Sequence, residues 1–149
     1  MLLWRISNYA TLDGRGGLLA SARWHSAGRP IVYLAESPAG ALTEVLVHLE
    51  LGPEELPPTY KLLKILIPDD LTVRDFPQKK LRKNWQNHLT ITRTIGDEWL
   101  AARETAFLRV PSAIVPETFN VLLNPQHIEA RRARILSQHR YPLDQRLFR

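Results

Sequence analysis

Apolar residues recur along this chain mostly in short runs of strand length, bounded by glycine, proline and other turn residues. Seven such runs carry β-branched or aromatic residues, which predicts strands. One of them, TYKLLKILIP at 59–68, is apolar on both faces and is predicted to be a central strand. Another, at 106–116, is interrupted at Pro111. The remaining runs are 2–7, 31–36, 71–76, 120–127 and 133–144.

A helix is predicted directly after the second run. Ser37 followed by Pro38 is typical of a helix start, because serine caps free amide groups and proline suits the first turn. The apolar residues that follow recur at the spacing of one helix face, and Gly52 and Pro53 are predicted to end the helix. The predicted buried stripe consists of Leu42, Val45, Leu46 and Leu49.

The order of these elements predicts the fold class. Residues 79–104 add one or two helices with a break near Gly96, but strands outnumber helices and do not alternate with them regularly. We therefore predict an α+β fold in a single compact domain that spans residues 1–149. The stretch 8–30 is rich in glycine and serine and is predicted to be a long loop, a feature that often carries function.

Composition excludes several kinds of site. The chain has 149 residues and no cysteine, which excludes disulfides, thiolate zinc sites and cysteine nucleophiles. Its five histidines form no HxxxH or HxH pair, so no metal site is predicted. No apolar run approaches the roughly 20 residues of a membrane span, and Arg5 interrupts the apolar N-terminus. We expect a cytoplasmic protein without membrane contact.

The charge of the chain favours anionic partners. The net charge is +5 and the sequence pI is about 9.9, which suits nucleic acid, phosphorylated small molecules or an acidic protein. Most of the excess lies after Gln126, where arginines outnumber Glu129 and Asp144. We interpret this region as a solvated basic surface. Its arginines are Arg131, Arg132, Arg134, Arg140, Arg146 and Arg149.

Three polar residues near the predicted strand and helix each have two interpretations. Periodicity places Glu44 opposite the apolar stripe, where it is solvated unless that face borders a cleft. Tyr33 is either a core tyrosine or an aromatic platform for a planar ligand. Arg23 is either an exposed loop cation or a guanidinium that binds phosphate. Arg15 and Arg29 are alternatives to Arg23 that the sequence does not rank.

Ser112 and Asn120 are further candidates. Pro111 and Pro116 fix the chain around Ser112, and no GxSxG elbow surrounds it. It is either a turn serine or a hydroxyl held in one orientation. Asn120 belongs to the segment NVLLNPQH, whose Asn-Pro pair favours a turn.

Together, these residues resemble the RES domain, which is named for an arginine, a glutamate and a serine. The resemblance runs from WRIS near the N-terminus to NPQH and includes Arg23, Tyr33, Glu44, Ser112 and Asn120. The matching segments are RW at 23–24, VYLAES at 32–37, ALTEVL at 41–46, VPSAIVP at 110–116 and NVLLNPQH at 120–127.

The resemblance implies a mixed, mainly antiparallel sheet like that of the ADP-ribosyltransferase toxins. It also implies the toxin of a toxin–antitoxin pair, which consumes NAD by phosphorolysis or hydrolysis of the nicotinamide–ribose bond. NAD is then a substrate, inorganic phosphate a co-substrate, and no cofactor is required. The implied partner is an Xre-type antitoxin that forms a hetero-oligomer, covers the active site and alone contacts DNA.

The resemblance also implies roles for individual residues. Glu44 would stabilise positive charge on the ribose, and Tyr33 would stack on the nicotinamide or its ribose. Arg23 would bind the pyrophosphate or the incoming phosphate, and Ser112 a ribose hydroxyl or the nicotinamide amide. The implied catalytic set is Arg23, Tyr33, Glu44 and Ser112, and the substrate-binding set is Arg5, Arg23, Tyr33, Ser112 and Asn120.

Two alternatives remain open at this point. One is transfer of ADP-ribose to a cellular protein. The other is a basic nucleic-acid-binding or RNA-cleaving toxin, although the chain carries no helix-turn-helix, RNP or zinc-finger signature.

Overall fold

The computed structural model describes residues 1–49 and 55–148. Within these residues the chain forms seven strands and three α-helices, joined by loops and short 3-10 turns. The helices are α1 (Arg15–Leu19), α2 (Pro38–His48) and α3 (Leu89–Ala102). The strands are β1 (Leu2–Ile6), β2 (Val32–Ala35), β3 (Thr59–Leu66), β4 (Val73–Asp75), β5 (Phe107–Pro111), β6 (Phe119–Leu123) and β7 (Arg134–Pro142).

All seven strands belong to one sheet with the order β4-β5-β6-β2-β1-β3-β7. The pair β4–β5 is parallel, and the other neighbours are antiparallel. The predicted α+β class with a mixed, mainly antiparallel sheet is therefore confirmed.

The run at 59–68 forms a strand with a partner on each side, as predicted, but it does not lie at the centre of the sheet. β3 lies next to the edge of the sheet, because β7 pairs along its whole length and takes the edge position. Leu63 and Ile65 are fully buried on one face, whereas Leu62 and Lys64 on the other face are half-buried. β2, which leads into α2, occupies the middle of the sheet instead.

The sheet has a packed core on both faces, because successive side chains of a strand point to opposite sides. Leu34 and Phe107 belong to the core of one face. On the opposite face, Leu122 packs with Trp24 from the 8–30 loop and with Trp99 from α3. α3 and the part of the loop around Trp24 therefore share the face on which Leu122 lies, whereas Leu12 of the same loop packs against the other core.

α2 begins as predicted and packs differently from the prediction. The Ser37 hydroxyl accepts a hydrogen bond from the Gly40 amide at 2.9 Å, and Pro38 is the first helical residue. Ala41 is buried, whereas the four residues of the predicted stripe are only half-buried. The helix packs against β1 and β2 in the middle of the sheet, and its buried residue, Ala41, lies outside the predicted stripe. Gly52 and Pro53 lie outside the described residues.

α3 runs without interruption through Gly96, so the predicted break is wrong. A Cβ atom at Gly96 would overlap the main-chain oxygen of Trp24. The glycine therefore allows a close approach between the helix and the loop. The preceding stretch forms the 3-10 turns Gln78–Lys80 and Trp85–Asn87, and α-helix begins only at Leu89.

The described arginines of the C-terminal region are exposed, as predicted for a solvated surface. Arg132 pairs with Asp70 at 2.8 Å and Arg146 with Asp144 at 2.7 Å, while Arg149 lies outside the described residues. Among the described residues, no helix combines the length and the apolar character that a membrane span requires.

Candidate functional site

A cavity of about 480 Å³ opens on the face of the sheet that carries α3 and the part of the loop around Trp24. α2, β1, β2 and the loop residues before β2 form its walls. Trp4 and Asn120 are both register partners of Ala35, which lies two residues after Tyr33 on β2. The side chains of Trp4, Tyr33 and Asn120 therefore point to the same face of the sheet as Leu122, the register partner of Tyr33. The volume is typical of pockets for small molecules, which span roughly 300–1,000 Å³.

Glu44 forms one wall of this cavity. Its Oε1 accepts a hydrogen bond from the Ser112 hydroxyl at 3.0 Å and another from the Asn120 side-chain amide at 2.8 Å. Both donors bind the same oxygen, so within the described part of the chain Oε2 is left without a protein donor. The carboxylate is thus fixed in orientation while one oxygen stays available to a ligand. The polar face of α2 thus borders a cleft at Glu44, which is half-buried.

Ser112 is itself held by the main chain. Its hydroxyl oxygen accepts from the amides of Ile114 and Val115 at 3.1 and 3.2 Å, and its own amide donates to Thr118. The residue is buried directly after β5 ends at Pro111. The hydroxyl proton is directed to Glu44, so Ser112 contacts the cavity through the carboxylate that it orients.

Arg23 forms the cationic wall of the cavity. Its Nη1 donates to the main-chain oxygen of Gln86 at 2.6 Å. Burial lowers the pKa of its guanidinium, and the Glu44 carboxylate partly offsets this effect. Arginine remains protonated at any physiological pH. The cavity therefore contains a fixed cation and a fixed carboxylate within electrostatic range of each other.

Tyr33 presents its ring to the cavity and directs its hydroxyl into the loop. That hydroxyl accepts from the Trp24 amide at 3.1 Å and lies 2.8 Å from His25 Nδ1. His25 Nε2 lies 3.2 Å from the Gly17 oxygen, which can only accept. The imidazole proton is therefore assigned to Nε2, and Nδ1 accepts from Tyr33. Burial raises the pKa of Tyr33 and lowers the pKa of His25, so both are neutral.

Arg5 belongs to the stretch of β1 that borders the cavity, but its side chain projects to the opposite face of the sheet, because its register partner Leu63 lies in the other core. Its guanidinium donates to the Thr11 oxygen at 3.1 Å. Burial lowers its pKa, and the carboxylate of Asp13 partly offsets this. Arg5 thus ties the loop to β1, and its predicted contact with substrate stays a prediction.

The two alternatives to Arg23 have other partners. Arg15 pairs with Asp13 at 3.2 Å, and Arg29 pairs with Asp97 at 3.4 Å. Neither is among the described residues that line the cavity.

Comparison with known proteins identifies the family. The model of the RES domain matches residues 2–144. The protein named Toxin Res of Pseudomonas putida is 49% identical over 99% of this chain and 100% of its own length. The chain belongs to the RES domain family of toxins. The predicted resemblance is thereby confirmed.

A second relative and a solved structure extend the comparison. The Prs ADP-ribosylating toxin of a Sphingobium strain is 33% identical to this RES domain over 98% of the chain and 96% of that protein. The crystal structure of the MbcT–MbcA toxin–antitoxin complex of M. tuberculosis contains a chain of the same fold, with a TM-score of 0.75 and 19% identity. The match covers 99% of this chain and 86% of that one. The fold is thus shared with a chain of that toxin–antitoxin complex.

In this RES domain the structure brings together the predicted site residues other than Arg5. Arg23, Tyr33, Glu44 and Asn120 line the cavity, and Ser112 binds Glu44 from behind. The sequence did not single out Thr92, Arg93 and Asp97 of α3, each of which holds the main chain around Arg23. No local pattern marks these three residues, because their partners lie about 70 positions earlier in the chain.

Metal chemistry was not predicted for this RES domain, and the histidines are scattered. Within residues 1–49 and 55–148, no three side chains of histidine, aspartate or glutamate lie close enough together to hold a metal ion.

Proposed function

We propose that this protein is the toxin of a toxin–antitoxin pair that cleaves the nicotinamide–ribose bond of NAD, with inorganic phosphate or water as the acceptor. The observation that carries the proposal is the presence of Arg23 and Glu44 in one cavity, where no donor from residues 1–49 or 55–148 binds Oε2 of Glu44. A cation for phosphate groups and a carboxylate for an electron-poor ribose are the two charges that this reaction needs.

Glu44 supplies the main chemical effect. When the bond to nicotinamide breaks, its electron pair moves to the pyridinium nitrogen, and nicotinamide leaves as a neutral ring. The ribose is left with oxocarbenium character, as in glycoside hydrolysis. A carboxylate held in position stabilises this charge as it develops. Ser112 and Asn120 keep the carboxylate in place without a change of orientation during the reaction.

The remaining cavity residues bind and orient the substrate. Arg23 is suited to bind the pyrophosphate or the incoming phosphate, because a guanidinium matches phosphate oxygens. The ring of Tyr33 provides a planar surface for nicotinamide or ribose, while its hydroxyl serves the loop. Ser112 acts as a positioning residue for Glu44 rather than as a direct contact to substrate.

The acceptor completes the reaction at the anomeric carbon. A phosphate oxygen that attacks there gives ADP-ribose 1″-phosphate. Water gives ADP-ribose and releases a proton. NAD is consumed in both cases, no separate cofactor takes part, and the net positive charge of the protein favours both anionic substrates.

We also propose that the partner is an antitoxin of the Xre type that covers the cavity and alone contacts DNA. The support is that the M. tuberculosis chain of the same fold was solved as a toxin–antitoxin complex. Addition of the antitoxin to the purified toxin is then expected to stop NAD consumption at a fixed stoichiometry.

The test is to incubate the purified protein with NAD at increasing phosphate concentrations, to follow nicotinamide by chromatography and to identify the products by mass spectrometry. We expect nicotinamide release in step with ADP-ribose phosphate or ADP-ribose. A rate that rises with phosphate identifies phosphorolysis. Absence of nicotinamide release at every phosphate concentration would refute the proposed function.

Transfer of ADP-ribose to a protein is a second candidate, because a 33% identical relative is named an ADP-ribosylating toxin. The same bond of NAD breaks, and a protein side chain takes the place of phosphate or water. NAD labelled in the adenosine moiety distinguishes the two functions. Label that stays attached to a macromolecule supports transfer, and label found only in small products excludes it.

A further inference from the structure

We propose that Thr92, Arg93 and Asp97 of α3 are positioning residues for Arg23, which they hold through the main chain of residues 22–26. The inference rests on the proposed function, in which Arg23 binds phosphate groups. It assigns to α3 a role in substrate affinity, although Thr92, Arg93 and Asp97 are not among the described residues that line the cavity.

All three contacts reach main-chain atoms of the same short segment. The Thr92 hydroxyl donates to the oxygen of Arg23 at 2.6 Å, and Arg93 Nε donates to the oxygen of Ala22 at 2.8 Å. Oδ1 of Asp97 accepts from the amide of Ser26 at 2.9 Å. Two carbonyls and one amide of five consecutive residues are thus bound by one helix.

The segment depends on these external partners for its conformation. Within it, one main-chain hydrogen bond joins the Ala22 amide to the oxygen of His25. Gly96 lets the helix approach so closely that a methyl group would overlap the Trp24 oxygen. On the side of β2, the Tyr33 hydroxyl accepts a hydrogen bond from the Trp24 amide. Arg23 therefore projects from a turn that is fixed on two sides.

Thr92 is the sharpest point at which to test this arrangement. It is fully buried, and its hydroxyl lies closer to the oxygen of Arg23 than to that of Leu89, which is 3.2 Å away. Thr92→Val keeps the shape and removes the donor, so the Arg23 carbonyl loses its partner. Thr94→Val is a matched control, because the exposed Thr94 hydroxyl donates to Thr90 within the helix itself.

The experiment measures kcat and KM for NAD and amide hydrogen exchange in both variants. For Thr92→Val we expect KM to rise about tenfold or more with a smaller change in kcat, since a displaced guanidinium weakens phosphate binding. We also expect faster exchange of the Trp24 and Ser26 amides. Thr94→Val is expected to match the wild type in both measurements, and Thr92→Ser, which restores the donor, to recover most of the affinity.

A second variant keeps the inference testable if Thr92→Val does not fold. Arg93→Met removes the donor to Ala22 at a half-buried position, and the same rise in KM and in exchange is expected. Wild-type KM and exchange in both Thr92→Val and Arg93→Met would overturn the inference, as would a loss in kcat alone. Exchange is measured without NAD. A wild type that releases no nicotinamide therefore refutes the proposed function, whereas unchanged exchange refutes the positioning role.

Discussion

The two walls of the cavity are built in different ways. The carboxylate wall is fixed by side chains: Ser112 and Asn120 both donate to one oxygen of Glu44. The cationic wall is fixed through the main chain, since α3 and Tyr33 bind the backbone around Arg23. The difference teaches where function and stability are coupled. A change at the carboxylate alters chemistry with little effect on the fold, whereas a change behind Arg23 alters the fold of a loop and, through it, the site.

The largest effect is expected from Glu44→Gln, which changes the carboxylate wall and leaves the cationic wall intact. The amide keeps the size of the side chain but cannot stabilise positive charge on the ribose. We expect kcat for NAD cleavage to fall about 10²–10³-fold, as for other losses of transition-state electrostatics, with a nearly unchanged melting temperature. Glu98→Gln, on the exposed side of α3, is the control. A Glu44→Gln variant with wild-type kcat would remove Glu44 from the mechanism.

The second largest effect is expected from Gly96→Ala, which tests the cationic wall. The added methyl group must push α3 and the Trp24 carbonyl apart, so we expect a loss of about 1–3 kcal/mol in the free energy of unfolding together with a higher KM for NAD. Gly16→Ala is the matched control, because no atom lies within 4 Å of a Cβ placed there. Chemical denaturation measures the free energy of unfolding of the two variants, and steady-state kinetics measures their KM for NAD. Equal stability of Gly96→Ala and wild type would contradict the close contact.

Tyr33→Phe tests the link between the ring in the cavity and the loop behind it. The substitution leaves the Trp24 amide and His25 Nδ1 without their partner, so we expect a loss of about 1–2 kcal/mol in unfolding free energy. Tyr9→Phe, at a residue that is 77% exposed, is expected to have no measurable effect. If both variants unfold at the same denaturant concentration as the wild type, the tyrosine hydroxyl does not hold the loop.

The smallest effect is a pH dependence at His25. Burial keeps its pKa below the ordinary value of 6.5, so the unfolded chain binds this proton at a higher pH than the folded protein does. The stability that the neutral imidazole contributes is complete above pH 6.5 and decreases as the pH falls toward the lowered pKa. An NMR titration of the His25 ring is expected to give a midpoint below 6.5. A midpoint at or above that value would contradict the buried, neutral ring.

The parts of the site that could be predicted from sequence are those with local signals. Ser37 and Pro38 mark the start of α2 because capping and proline geometry act within one turn. Arg23, Tyr33 and Glu44 lie within 22 residues of each other, and a loop, a strand and a helix in succession bring them to one cavity.

The remaining parts depend on contacts that no local rule encodes. The hydrogen bond between Ser112 and Glu44 joins residues 68 positions apart. Gly96 predicts a helix break, because glycine costs about 1 kcal/mol inside a helix, but its missing side chain is what admits the Trp24 carbonyl. The position of β3 near the sheet edge follows from its pairing with β7, which hydrophobic periodicity does not reveal.

The central claim is that Arg23 and Glu44 face one bound NAD molecule, and titration calorimetry tests it most directly. The Glu44→Gln variant, in which turnover is slowed, is titrated with NAD and compared with the double variant that also carries Arg23→Met. The account predicts saturable binding with one site in the first protein and a loss of at least about tenfold in affinity in the second. Absence of saturable binding, or equal affinity in the two proteins, would contradict it.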